Sequence, residues 1–413
     1  MEEWKKYKLG EITSKIGSGA TPKGGRDSYL GGNIALIRSQ NVLDFSFSKL
    51  GLAYINEVQA EKLSNVEVYE KDVLLNITGD SVARVCIVPN NVLPARVNQH
   101  VAIIRGNDKV DYRYLLYYLQ YIKPQLLSLS QGGATRNALT KKMIEELEVK
   151  MPSKGIQKEI VSILYALDSK IELNRRINDN LEQQAQALFK AWFVDFEPFK
   201  DGKFVESELG MIPEGCRVGK AEDFYNINIG KTPPRKEQIW FSSNSSDYTW
   251  VSISDLGSCG RFVFTSSEFL THEAIKRHNI ILVPKDTILL SFKLTIGRVG
   301  IAGTELTTNE AIARFITSDE NREYTYFLLK GYNYEKLGST SSIATAVNSK
   351  IIKAMVVLMP DKEILKAFSS LTKPYFDQIL RNEQESIRLT ILRDTLLPKL
   401  MSGELKINAT EVL

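Results

Sequence analysis

The chain has 413 residues, of which 43% are hydrophobic and 25% charged, with a formal net charge of +4. These values exclude a disordered, collagenous or membrane-spanning chain and leave room for roughly two to four globular domains. The small cationic excess permits nucleic-acid binding without requiring it.

No run approaches the ~18 apolar residues of a membrane span, and the first ten residues, MEEWKKYKLG, hold no apolar signal-peptide core. A cytoplasmic location is expected. Cys86, Cys216 and Cys259 offer neither a disulfide framework nor metal-ligand spacing. They are expected as small buried or half-buried side chains.

Residues 1–152 read as a first domain. NIALIRSQNV, KDVLLNITG, RVCIVP and HVAIIRG have the β-branched content and turn punctuation of strands. Tyr112 to Leu129 is an amphipathic helix, ended or kinked at Pro124. Residues 153–195 follow as one long helix. From Ile156 to Lys190 an apolar heptad runs for about five repeats, which describes a narrow-striped helix roughly 50 Å long. Its seam is Leu164, Ile171, Asn178 and Ala185, together with Ile160, Leu167, Asn174, Leu181 and Leu188.

The segment FVDFEPFKDGKFVESELGMIPEGC, rich in Pro, Gly and charge, reads as a loop or linker. Residues 196–360 then repeat the order of the first domain. Gly19, Thr21 and Pro22 recur as Gly230, Thr232 and Pro233, Arg84 as Arg298, and Asn98-Gln99 as Asn309-Glu310. Residues 361–403 are a second long helix, and 404–413 a short polar tail. A shift of 208 positions lays Ile156 on Ile364, Asn174 on Asn382 and Leu188 on Leu396. The second seam is Phe368, Tyr375, Ile379, Asn382, Leu389 and Leu396.

Internal duplication on this scale sets the architecture. The expected fold is α+β: two similar β-rich domains, each followed by a long helix. The helices pair as an antiparallel coiled coil with pseudo-two-fold symmetry and a domain at either end. Asn174 and Asn382 are expected to face each other near that axis, where a buried polar pair fixes register. Pro374 falls inside the second heptad run, so that helix is expected to kink or begin there.

Catalytic signatures are absent from the sequence. The stretch GSGATPKGGR lacks the phosphate-loop spacing, and GKT at 230–232 lacks the upstream glycine. His100, His272 and His278 make no metal pattern, and the last two read as residues of a solvated helix face. No nucleophile elbow is present, and neither of the two motifs of a DNA methyltransferase appears. The chain is expected not to be an enzyme and to bind no cofactor itself.

Polar side chains at turns beside strands suit duplex contact better. Arg, Gln and Asn can pair with base edges, while Lys, Ser and Thr suit phosphates. The candidates in the first domain are Lys23, Arg26, Arg38, Ser39, Gln40, Asn41, Thr78, Ser81, Arg84, Arg136 and Lys141. In the second they are Lys231, Arg235, Lys236, Ser252, Ser254, Lys293, Arg298 and Asn348.

The order of elements and several strings resemble the specificity subunit of Type I restriction–modification systems. The carrying residues are QGGATRNALTKKMIEELEVKMP (131–152), IQKEIVSIL and LDSKIELN (156–174), LGMIPEGC (209–216) and LLPKLMSGELKI (396–407). The resemblance implies two target-recognition domains, each reading one half of a bipartite, asymmetric DNA sequence, and helices that act as conserved spacers. It implies partners: double-stranded DNA, two modification (methyltransferase) subunits, and restriction subunits that translocate and cleave. S-adenosylmethionine, ATP and Mg²⁺ would then belong to those partner subunits. The alternative is a coiled-coil scaffold that joins subunits without touching DNA.

Overall fold

The computed structural model describes residues 4–22, 29, 31–131, 137–337 and 347–406. The chain divides into two compact units, Met1–Lys170 with Arg388–Leu413, and Ile171–Ile387.

The first unit is built on a four-stranded antiparallel sheet in the order Thr13–Ser18, Val101–Gly106, Val73–Asn76, Val85–Ile87. Its central strands are buried on both faces, and this is why VLL and VAII are unbroken apolar runs. Val73 and Leu75 join the core that holds the helix Tyr112–Tyr121. Leu74, Cys86 and Ile103 point the other way, into a second core. A second sheet covers that core, in the order Ala53–Ile55, Ile34–Ile37, Ala95–Val97, Glu67–Val68. Lys5–Lys8 pairs with Glu148–Met151 apart from both sheets.

Asp111 caps the helix Tyr112–Tyr121, its carboxylate accepting from Arg113 N at 2.8 Å and Tyr114 N at 3.3 Å. The amphipathic stretch expected to end or kink at Pro124 does break beside it, into Tyr112–Tyr121 and Lys123–Ser130. Pro124 lies in the first turn of the second, where its missing N–H is harmless.

The second unit repeats the plan. Its main sheet runs Asn226–Ile229, Ile312–Ile316, Ile288–Ser291, Val299–Ala302 and adds Phe262–Val263 at the edge. The smaller sheet is Phe241–Ser242, Phe269–Leu270, Tyr248–Val251, Thr307–Thr308. Cys216–Lys220 pairs with Val356–Pro360, as Lys5–Lys8 does with Glu148–Met151.

The first long helix is Lys154–Phe193 and the second Lys362–Ser402. The second neither begins at Pro374 nor ends before it. Its register is held by apolar packing of Phe368, Phe376 and Ile379 in one core, which outweighs the single hydrogen bond that a proline removes. In the first unit Ile160, Val161 and Leu164 share a core with Leu397, Leu400 and Met401. In the second unit Ala185 and Phe193 share one with Leu365 and Phe368. Within each unit, then, the start of one long helix lies against the end of the other, an antiparallel arrangement. None of the seam residues named from the heptads is exposed: Ile160, Leu164, Asn174, Phe368, Ile379 and Asn382 are buried, and Leu167, Ile171, Leu181, Leu188, Tyr375, Leu389 and Leu396 half-buried.

Asn174 and Asn382 do not pair amide to amide. Asn174 Nδ2 donates to the Asn382 carbonyl at 3.4 Å, to Glu385 at 2.8 Å and to Ser386 at 3.3 Å. Asn382 Nδ2 donates to Asn178 Oδ1 at 2.8 Å. The contacts Asn174–Ser386 and Asn382–Asn178 are the same contact under the 208-residue shift, so the local two-fold relation runs through neighbouring turns. The segment read as a linker is more ordered than a loop, forming an antiparallel hairpin of Phe204–Ser207 with Gly210–Pro213.

Candidate nucleic-acid interface

In each unit three segments converge at one end of the main sheet. Gly19 N donates to Asn98 O at 3.1 Å, and a Cβ on Gly19 would stand 1.8 Å from the Val97 carbonyl. Gly230 N donates to Ile312 O at 3.1 Å, and a Cβ there would stand 1.9 Å from the Asn309 carbonyl. Only glycine permits this approach, which explains the recurrence of Gly-x-Thr-Pro. The threonines that follow hydrogen-bond matching partners, Thr21 to Gln99 and Thr232 to Glu310.

The third segment is the turn that leaves a central strand for its next neighbour, Val73–Asn76 to Val85–Ile87 in the first unit and Ile288–Ser291 to Val299–Ala302 in the second. In the first unit Asn76 N donates to Arg84 O at 2.9 Å and Ala83 N to Asn76 O at 2.9 Å. In the second, Ser291 N donates to Arg298 O at 3.0 Å and Gly297 N to Ser291 O at 3.0 Å. Thr78 and His100 Nδ1 lie 2.5 Å apart, which ties the first turn to the Asn98–His100 segment. Ser39 joins the group because its carbonyl accepts from the buried Asn76 amide at 2.9 Å.

The named candidates divide into presenting and structural residues. Gln40, Lys236, Ser254 and Lys293 are exposed, and Ser39, Ser81 and Arg84 half-buried. The Arg84 guanidinium has no partner among the described residues. Arg38 donates to the Gly51 carbonyl and lies 5.7 Å from the Tyr29 ring centroid. Lys141 pairs with Glu145 at 3.4 Å. Arg235 makes a two-pronged pair with Glu268, at 2.9 and 2.8 Å, while stacking on Phe241 and Trp250. Lys231 donates to the His278 carbonyl at 2.6 Å. Lys23, Arg26 and Arg136 lie outside the described residues.

Four candidates have internal partners, and of these Asn41 is corrected to a buried, structural residue. Asn41 is fully buried, and its amide is spent on Arg38 N, Ser48 O and Leu50 O. Ser252 caps Ile253–Ser258, accepting from Asp255 N at 3.2 Å. Asn348 caps Ser349–Lys353, accepting from Lys350 N and Ile351 N. Arg298 donates to the Ile253 carbonyl at 2.7 Å. His278 is also corrected: it is half-buried, its ring edge-on to Trp240 at 4.9 Å between centroids, and not on a solvated face. Gln99, His100 and Glu310 were missed as site residues, although the recurrence of the 98–99 dipeptide at 309–310 was the available signal.

A second constellation fastens each domain to the long helices within its own unit. In the second unit Arg261 reaches Asp179 at 2.5 Å and Glu182 at 2.9 Å. Tyr326 donates to Glu182 at 2.6 Å, Lys330 also donates to it, and Glu383 accepts from the backbone N–H groups of Arg261 and Phe262. Burial works to raise the Glu182 carboxyl, but the Lys330 and Tyr326 hydrogen bonds and the Arg261 charge carry it below its ordinary 4.5. Glu383, with burial dominant, is held above it. In the first unit the cation sits on the helix instead. Arg393 pairs with Asp168 at 2.9 Å, lies 3.8 Å over the Phe45 ring, and shares Asp168 with the Tyr117 hydroxyl.

Among the described residues, no group of three or more His, Cys, Asp or Glu is arranged to hold a metal, and no helix is long and apolar enough to cross a membrane.

A family model described as the Type I restriction modification DNA specificity domain matches residues 1–183 and 213–389. The MjaIX specificity subunit of a Type I restriction enzyme from Methanocaldococcus jannaschii is 29% identical, with 98% of this chain and 94% of that protein covered. The HindI specificity subunit from Haemophilus influenzae is 25% identical, with 98% and 100% covered. A crystal structure of a Type I S subunit from M. genitalium superposes with a TM-score of 0.53 at 14% identity, over 97% of this chain and 96% of that one, a likeness of fold.

Proposed function

This chain belongs to the Type I restriction modification DNA specificity family, and we propose that each of its domains reads one half of a bipartite, asymmetric DNA target through the loop end of its main sheet. The carrying observation is the duplicated constellation of Gly-x-Thr-Pro, its Gln99 or Glu310 partner and the adjoining strand turn, built twice with different side chains. A shared frame with divergent loops suits two half-sites of unlike sequence. The Arg, Gln, Lys and Ser side chains at that end match base edges and phosphates.

The chain supplies recognition and no chemistry of its own. The long helices set the distance between the half-sites, and their outer faces receive two methyltransferase subunits, with restriction subunits joining that core. S-adenosylmethionine, ATP and Mg²⁺ are bound by those partners.

Two measurements test this. Mapping methylated bases in a genome that carries the system should yield a split motif with a fixed gap; a contiguous motif, or none, rejects the proposal. Binding by the complex should weaken steeply with salt, because phosphate contacts release counterions. A flat salt response points to a scaffold without DNA contact.

A further inference from the structure

The two strand turns differ in length and sequence, and at one point the second opposes backbone preference. In the first unit the turn leaves its strand at Asn76 and reaches the left-handed region at Gly79, φ +76°. Three residues past the equivalent Ser291, the second turn has Leu294, φ +60°. Thr295 N donates back to Lys293 O at 2.6 Å across Leu294, a three-residue turn of the strained kind. A bulky apolar side chain is a poor choice for such a backbone. It is also a poor choice for water, and Leu294 is 101% exposed.

The tip is braced. Ser291 Oγ donates to Thr295 O at 2.6 Å and accepts from Arg298 N at 3.0 Å. Phe292, buried, donates its N–H to Ala311 O at 3.0 Å, and a Cβ on Gly297 would stand 3.2 Å from the Tyr334 ring. The leucine is therefore held out on a stiff mount. A cation stands beside it. Lys293 is its exposed neighbour in the chain. Lys293 and Arg235 both act on Glu310, whose carboxyl burial would raise but which the Thr232 hydrogen bond and these charges hold low.

We propose that Leu294 is a wedge that enters a base step of the DNA half-site read by the second domain, with Lys293 on the adjacent phosphate. An apolar side chain with a cation beside it matches the chemistry of a partly unstacked step: a hydrophobic gap next to anionic phosphates. The occupant is duplex DNA and not an apolar protein surface, because Lys293 stands next to the leucine and no other strongly exposed apolar side chain adjoins the tip among the described residues apart from the less exposed Ile296. Gly79 gives the first domain's turn no counterpart, so the wedge is assigned to the second half-site alone. The wedge rests on the specificity reading above and deepens it.

The test uses the intact complex with its methyltransferase subunits. The probes are duplexes carrying both mapped half-sites, with 2-aminopurine placed at successive steps. Wild-type binding should brighten the probe at one step of the second domain's half-site and at none in the other. Leu294→Ala should abolish that signal and weaken binding about tenfold, with the complex still assembled. Leu294→Gly, which suits the left-handed backbone, should do the same and guards against misfolding. If the complex binds its target but no step brightens, or the signal survives both variants, the wedge is overturned while the specificity reading stands. If the variants fail to assemble with methyltransferase, Leu294 is a subunit contact and the wedge is again overturned. A wild-type complex without sequence preference defeats the specificity reading and the wedge with it.

Discussion

Arg261 shows how a single side chain can anchor a domain. It is only 18% exposed, and two carboxylates depend on it, Asp179 and Glu182. Arg261→Ala leaves a mostly buried Glu182 with Lys330 as its remaining cation, and should destabilise the second unit by about 2–3 kcal/mol, below the full value for a dry pair because the site is partly wet. Denaturant titration checks this. The same site makes a pH prediction. Glu182 has a folded pKa below its ordinary 4.5, so the stability it contributes is present above about pH 4.5 and is lost as pH falls through the lower, folded value. Glu182→Gln should flatten the acid limb of the stability profile, and a variant that denatures as steeply as wild type would contradict the assignment. Glu383, shifted the opposite way, contributes with the opposite sign, and because the Glu182 charge helps to hold it high, Glu182→Gln also relaxes it toward its ordinary value. At this scale the sequence was partly legible. Arg84 and Lys293 could be named from turn chemistry, but Ser252, Asn348 and Arg298 could not be sorted from them. A polar residue that caps a helix or satisfies a carbonyl has the same identity and turn context as one that faces DNA. Only the location of the orphan backbone groups separates the two.

The long helices are the most legible element, because a heptad is a local pattern and needs no knowledge of the partner. What the pattern hid was which polar seam groups meet. Asn382 reaches Asn178 and not the Asn174 amide, since antiparallel helices bring neighbouring turns together rather than equivalent residues. Asn382→Leu should therefore strand Asn178 Oδ1 and cost about 1–3 kcal/mol; a stabilised variant would show that this contact contributes nothing. Pro374 is the other instructive case. Its helix continues on both sides, held by Phe368, Phe376 and Ile379. Pro374→Ala should raise the melting temperature of the second unit, by about 1–2 kcal/mol in stability, as the missing N–H is restored. A proline read in isolation marks a break; packing on both sides of it overrides that reading.

For the whole molecule the duplication makes recognition modular. Exchanging residues 1–152 for those of a related chain should alter one half of the methylated motif and leave the other half and the gap unchanged; a change in both halves would reject independent reading. Duplication was visible because copies with a 208-residue shift can be aligned without any structure. The fifth strand, Phe262–Val263, was not, because a two-residue strand carries no period.

The two units also differ in how they are drawn from the chain. Ile171–Ile387 is one uninterrupted stretch, whereas the other unit joins Met1–Lys170 to Arg388–Leu413. Leu397, Leu400 and Met401 belong to the core of the domain made first by the ribosome. That domain leaves the exit tunnel with a gap in its interior and waits for more than half of the protein to be translated before the gap is filled. The later domain has its whole interior in hand as soon as Ile387 emerges. Birth order and completion order are reversed, and nascent chains arrested with Ile387 just outside the tunnel and Arg388–Leu413 still within it should already protect the second domain from protease while the first remains open to cleavage.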